Sequence, residues 1–155
     1  MSLDILHSRG YEVLNELGRG SYGVALLVRR QASLYVAKLQ SHAHLSHTGR
    51  KALAREVHLL ASLARSAHPN IVCFRHSFYD STTLCIIMDY AEQGDLGNLI
   101  ARRKADGAGF VENAFVQSIM FELVSALDFL HSRDVMHRDV KPRNVFLSRN
   151  RALLG

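Results

Sequence analysis

At 155 residues, with 48% hydrophobic and 21% charged side chains and only two prolines, the chain is long enough for a domain with a real core and has no disordered or collagen-like signature. A net charge of +5 would suit nucleic acid, an anionic membrane or a phosphorylated ligand, yet the basic residues are dispersed, with Arg29-Arg30 and Arg102-Arg103-Lys104 as the short runs. They read as a solvated surface, and neither nucleic acid nor a membrane is expected as a partner. Cys73 and Cys85 both sit in apolar stretches and make no disulfide framework, which points to a reduced, intracellular protein. The first ten residues have no basic head or long apolar segment, and no later run approaches membrane-spanning length, so the cytoplasm is expected, with nucleus or cytoskeleton as alternatives.

In chain order, short apolar runs broken by Gly and Ser predict strands at Tyr11–Leu17, Val24–Arg30 and Leu34–Leu39. From Lys51 to Ala64 the spacing of Leu53, Val57, Leu60 and Ala64 is that of one helix face, stopped by His68-Pro69-Asn70. Strands follow at Ile71–Tyr79 and Thr83–Asp89, joined by the turn-forming Asp80-Ser81. Ala91-Glu92-Gln93-Gly94 is a polar connector and the candidate boundary between a mostly β and a mostly α part. Beyond it, Asp95 can cap a helix over Leu96–Lys104, and Asn113 a longer one ending near Ser132. Phe115, Val116, Ile119, Met120, Phe121, Leu123, Val124, Leu127, Phe129 and Leu130 leave that helix only a narrow polar strip, so it calls for burial on most sides, and little chain remains to cover it.

Four groups carry chemistry. Gly18-Arg19-Gly20-Ser21-Tyr22-Gly23 is a GxGxxG pattern, shared by dinucleotide-binding turns, phosphate-covering hairpins and ordinary turns; the strand-like Val24–Val28 after it argues against the nicotinamide-dependent reading. Lys38 lies in an apolar strand and Glu56 on the inward face of the first helix, so the two can either pair or snorkel to water separately. Leu84–Asp89 running into the connector is a strand and a loop whose backbone can meet the edge of a flat ring. Val135–Leu147 contains His137-Arg138-Asp139, Lys141-Pro142 and Asn144, and decides the matter. Asp139 can orient a hydroxyl and accept its proton, Lys141 can neutralise a phosphate, and Asn144 can hold Mg2+. His42, His44 and His47 read as a surface loop rather than a metal site, since no carboxylate or cysteine joins them.

Together these residues resemble the protein kinase superfamily over about 11–155. Lys141 two residues after Asp139 resembles its serine/threonine branch, and Met88-Asp89-Tyr90, Gly94-Asp95-Leu96 and Asn144–Leu147 are most similar to the NIMA-related (never-in-mitosis) kinases. The resemblance implies an α+β fold: a complete five-stranded antiparallel small lobe with one helix (11–90, after a lead-in at 1–10) and an incomplete, mainly helical large lobe (91–155). It implies phosphoryl transfer from MgATP to a protein Ser or Thr, with Asp139 and Lys141 catalytic and Asn144 on the metal. Gly18, Arg19, Gly20, Ser21, Tyr22, Gly23, Ala25, Val36, Lys38, Glu56, Met88, Asp89, Ala91 and Phe146 would surround the nucleotide, Met88 as gatekeeper and Asp89–Ala91 as hinge, with Leu60, Phe74 and His137 in a stacked spine. Ala25 and Val36 exchange the family's usual Val and Ala, which conserves volume. Arg151–Gly155 is similar to the strand before the family's DFG motif, and no DFG or APE follows, so weak ATP binding and little transfer are expected of these 155 residues. The alternative is a catalytically dead, kinase-derived module that binds nucleotide or a partner, with the uncovered helix as its docking surface.

Overall fold

The apolar runs of the first half become five strands, β1 (Glu12–Gly20), β2 (Gly23–Arg30), β3 (Ser33–Ser41), β4 (Phe74–Tyr79) and β5 (Thr83–Asp89). In the computed structural model, which describes residues 3–20, 23–108, 112–149 and 151–155, they form one antiparallel sheet in the order β1-β2-β3-β5-β4. The two-residue period sends Val24, Leu26 and Val28 to the same face as Ala37, Leu39, Cys85 and Ile87, where they are buried with Tyr11 and Phe78. Burial there pushes the Cys85 thiol up to about 12, so it stays protonated and inert.

A four-residue helix, α1 (Asp4–His7), stands where the sequence suggests only a lead-in. No side chain caps it, and four residues cannot sustain a helix alone. Ile5 and the fully buried Leu6 hold it against the sheet core. The next helix, α2 (His47–Ala64), begins four residues earlier than the periodicity predicts, because Ser46 Oγ accepts the Gly49 N–H at 3.2 Å and caps it. It packs against β4 and buries no side chain fully. His47 therefore opens a helix, and His42 is half-buried, its N–H donating to Thr82 O at 2.8 Å, instead of lying in a free loop.

The chain divides into two compact units: residues up to Ser66 with Cys73–Tyr90, and Ala67–Val72 with Ala91 onward. The second contains α3 (Leu96–Ala105), α4 (Asn113–His131), a 3-10 turn at Pro142–Asn144, and the hairpin β6 (Val145–Ser148) and β7 (Arg151–Leu154). β4 is shorter than the predicted 71–79 because its first residues belong here: Ile71 bridges Leu154, and the Val72 N–H donates to Leu154 O at 2.9 Å. Asp95 caps α3 as expected, through the Asn98 N–H at 2.8 Å. Asn113 does not cap α4; it is the first helical residue, after Glu112, and no side chain takes the cap.

α4 buries Ile119, Leu123, Ala126 and Leu130 and packs on β7. Its other side is open, with Phe121 77%, Val124 59% and Met120 56% exposed, as the all-round apolar pattern requires when cover is lacking. α4 is also long and apolar enough to cross a membrane by length and composition, with mean hydropathy 1.3. A scan for an uninterrupted apolar run misses this because Glu122 and Asp128 break the run. Glu122 has a structural use here, since its Oε2 accepts the Ala152 N–H at 2.6 Å and ties α4 to β7.

Candidate active site

In the first unit, register decides which predicted residues meet. Ala25 lies opposite Lys38, Val36 opposite Leu27 and Met88, and Lys38 opposite Ile86. Ala25, Val36, Lys38 and Met88 therefore share the sheet face opposite the buried core, and all four are half-exposed. Gly18 and Gly20 end β1 opposite Ala25 and Gly23, and a Cβ built on either meets nothing within 4 Å. Gly23 differs: at φ +143° its Cβ would fall 1.9 Å from Leu39 O, so only glycine lets β2 cross β3 there. Arg19 is turned aside, its guanidinium on Glu16 at 2.6 Å. Ser21 and Tyr22 lie outside the described residues.

The expected pairing of Lys38 with Glu56 is not made. Among the described residues no ion pair joins them, and Glu56 is exposed. Two facts account for this. α2 packs on β4 rather than on β3, and Lys38 is half-exposed, so its long side chain can carry the ammonium to water without a partner. Asp89 ends β5 with its N–H on Cys73 O at 3.0 Å and its carboxylate gripped by Arg75, Nη2 to Oδ2 at 2.7 Å. That grip raises the Arg75 pKa further.

In the second unit, Asp139, Lys141 and Asn144 converge. Lys141 Nζ donates to both carboxylate oxygens of Asp139, at 2.8 and 2.7 Å, and Asn144 Nδ2 donates to Asp139 Oδ2 and to its backbone O, each at 2.8 Å. The Lys141 bond first, and the Asn144 bond second, hold the Asp139 carboxyl below the usual carboxylate range. The loop is fixed from beneath: His137 Nδ1 accepts the Asp139 N–H at 3.2 Å, which makes Nε2–H the donor to Gly155 O at 3.1 Å. The Gly155 N–H in turn reaches Asn144 O at 3.0 Å. Arg138, between His137 and Asp139, takes φ +65° to turn the chain there.

Ala91 is buried and its carbonyl accepts the Gly94 N–H at 3.2 Å. Phe146 pairs with Leu153 and bridges Asp95, and a Cβ at Gly155 would come 2.7 Å from its ring. Sequence reasoning missed Glu92, whose Oε1 takes the Arg149 N–H at 2.9 Å and Oε2 the Ser148 hydroxyl at 2.7 Å, and Asn70, whose side chain donates to Ala152 O at 3.1 Å. Neither sits in a pattern that a single sequence can flag. Among the described residues no three His, Cys, Asp or Glu side chains are placed to share a metal ion.

Comparison with known proteins agrees with this arrangement. Residues 11–154 match the protein kinase domain family. The chain is 38% identical over 155 residues to serine/threonine-protein kinase Nek2 of Mus musculus, covering 94% of this chain and 34% of that protein. It is 37% identical over 142 residues to serine/threonine-protein kinase Nek1 of Mus musculus (90% and 11%), and 35% identical over 155 residues to serine/threonine-protein kinase Nek11 of Homo sapiens (97% and 23%). The chain thus spans at most 34% of the length of these relatives. Its five-stranded antiparallel sheet and this match over 11–154 lead to one assignment: the chain belongs to the protein kinase domain family.

Proposed function

We propose that the protein is an ATP-dependent serine/threonine kinase, moving a phosphoryl group from MgATP to the hydroxyl of a protein Ser or Thr. The observation that carries this reading is the exposed Asp139 carboxylate, held ionised by Lys141 and Asn144. A carboxylate so held is a weak base, suited to orient the incoming hydroxyl and to take its proton once the bond to phosphorus is forming. Asn144 spends Nδ2 on Asp139, which leaves Oδ1, a hard oxygen of the kind Mg2+ takes. Lys141 places a cation beside Asp139, where the transferred phosphate must come.

The first unit offers complementary features. The open space where Gly18 and Gly20 would carry a Cβ leaves room for a phosphate group to come close to the backbone there. Ala25, Val36 and Met88 give a half-exposed apolar surface for a flat heterocycle, with Lys38 on the same face for phosphate charge. Bound ATP and Mg2+ supply the phosphoryl group and its countercharge. The choice of Ser and Thr over Tyr rests on Lys141 and on the similarity to the serine/threonine-protein kinases Nek2, Nek1 and Nek11.

The lack of a Lys38–Glu56 ion pair among the described residues favours a second reading, in which the chain in this conformation binds nucleotide without turning it over. One experiment separates the two. Transfer from labelled ATP to casein, by the protein as expressed from its gene, should fall by about two to four orders of magnitude in Asp139→Asn while nucleotide affinity is kept. Transfer equal in wild type and Asp139→Asn refutes the assignment; nucleotide binding with no transfer in either supports the second reading.

A further inference from the structure

Charge around the candidate catalytic carboxylate is lopsided. From Val135 to Asn144 the chain carries Arg138, Lys141 and Arg143 against Asp139 alone. Lys141 is committed to Asp139. Arg138 and Arg143 are exposed and belong to none of the ion pairs among the described residues.

Arg143 is anchored as well as charged. It lies in the 3-10 turn between Lys141 and Asn144, whose side chains both bond Asp139, so its backbone is fixed relative to that carboxylate. Its stem lies on the first turn of α3: a Cβ built on Gly97 would come within 2.8 Å of Arg143 Cγ, so the glycine provides the slot in which the arginine rests. Asp95 lies within 3.1 Å of the same point, but its Oδ1 and Oδ2 accept from Asn98, at 2.8 and 2.7 Å, and among the described residues it forms no ion pair with Arg143. A guanidinium with a fixed stem and no ion-pair partner among the described residues presents a planar fork matched to a carboxylate or phosphate.

We infer that Arg143 is a specificity-determining residue of the phosphoryl-transfer site, selecting protein segments that carry an anionic side chain, carboxylate or phosphate, close to the acceptor Ser or Thr. This rests on the kinase reading above and narrows its substrate class. An exposed pair of this kind changes affinity about two- to five-fold, weakens with salt, and gains from the second negative charge of a phosphate.

The test uses the full chain and fluorescein-labelled peptides with one acceptor Ser in a neutral background. Glu, phosphoserine, Gln or Arg is placed in turn at each of the flanking positions. Binding is read by fluorescence anisotropy at low and high salt for wild type, Arg143→Gln, Arg143→Glu and, as a remote surface control, Arg102→Gln. The expected result is a two- to five-fold preference for Glu over Gln at one flanking position, larger for phosphoserine. Arg143→Gln should abolish it, Arg143→Glu should reverse it toward Arg, and Arg102→Gln should leave it unchanged. Equal preference for Glu and phosphoserine identifies carboxylate as sufficient; a preference for phosphoserine alone identifies a primed substrate. Charge-blind binding, a preference that survives Arg143→Glu, or no binding up to millimolar peptide overturns the inference. Transfer to the same peptides is scored separately, so a charge preference without turnover removes the kinase reading and leaves the selection by Arg143 standing.

Discussion

Replacing Leu6 with alanine tests whether the N-terminal helix is part of the first unit's core. Leu6 is fully buried and Ile5 is 7% exposed, and these are the only two buried side chains of α1. Two such side chains supply about 3–6 kcal/mol of burial, and a buried Leu→Ala change costs about 2–5 kcal/mol once the cavity is included. The loss has a ceiling: when it exceeds the docking energy of α1, the helix leaves the sheet and takes no further stability with it. A loss of about 2–3 kcal/mol is therefore expected. Urea denaturation reads the magnitude, and amide exchange reads the place, since the Tyr11 N–H donates to Leu6 O at 3.0 Å and should lose protection. The Leu154 N–H, bonded to Asn70 O in the second unit, should not change. A loss below about 0.5 kcal/mol with Tyr11 still protected would refute the anchoring role.

Gly23→Ala should destabilise the sheet by about 2–4 kcal/mol in thermal or urea melts, since its Cβ meets Leu39 O at 1.9 Å, whereas Gly18→Ala and Gly20→Ala, with open space around them, should cost less than about 1 kcal/mol and weaken nucleotide binding instead. Glu122→Ala leaves the Ala152 N–H without its acceptor and should cost about 1–3 kcal/mol, while Glu122→Gln, which keeps an acceptor oxygen, should cost less; equal losses would count against the bond. Acid should loosen the first unit through His76, which meets the Tyr11 hydroxyl at 3.0 Å and whose pKa is lowered by desolvation and then by Arg30 and Arg9. The folded chain then binds fewer protons than the unfolded one, so this contribution is complete above the ordinary histidine value near ~6.5 and is lost as pH falls below it. His76→Gln should flatten that part of the stability profile, and an unchanged slope would assign it elsewhere.

Much of the fold is legible because its periods are short. β2, β3 and β5 stand out as short apolar runs, β2 alternating in burial and β5 buried throughout Thr83–Ile87, and Asp95 announces α3 by local chemistry alone. Asp139, Lys141 and Asn144 meet because they lie within one tight loop, so spacing along the chain nearly determines spacing in space. Lys38 and Glu56 belong to separate elements, and their pairing depends on where α2 packs, which no local pattern encodes. α1 escaped notice because its two apolar residues gain their meaning only from the sheet face they cover. The late start of β4 at Phe74 has a similar cause: the competing partner of Val72 is Leu154, far along the chain.

That distant partnership bears on how the protein is made. Ala67–Val72 leaves the ribosome in the middle of the first unit's sequence but belongs to the second. Its fixed contacts, Asn70 to Ala152 O across 82 positions and Leu154 back to Asn70 O, require β7 to be present. The segment must therefore wait, its polar groups on water, while α3 and α4 are synthesised, and closing so long a loop is slow. A nascent chain arrested before Arg151 should carry a folding sheet with Ala67–Val72 still unsecured.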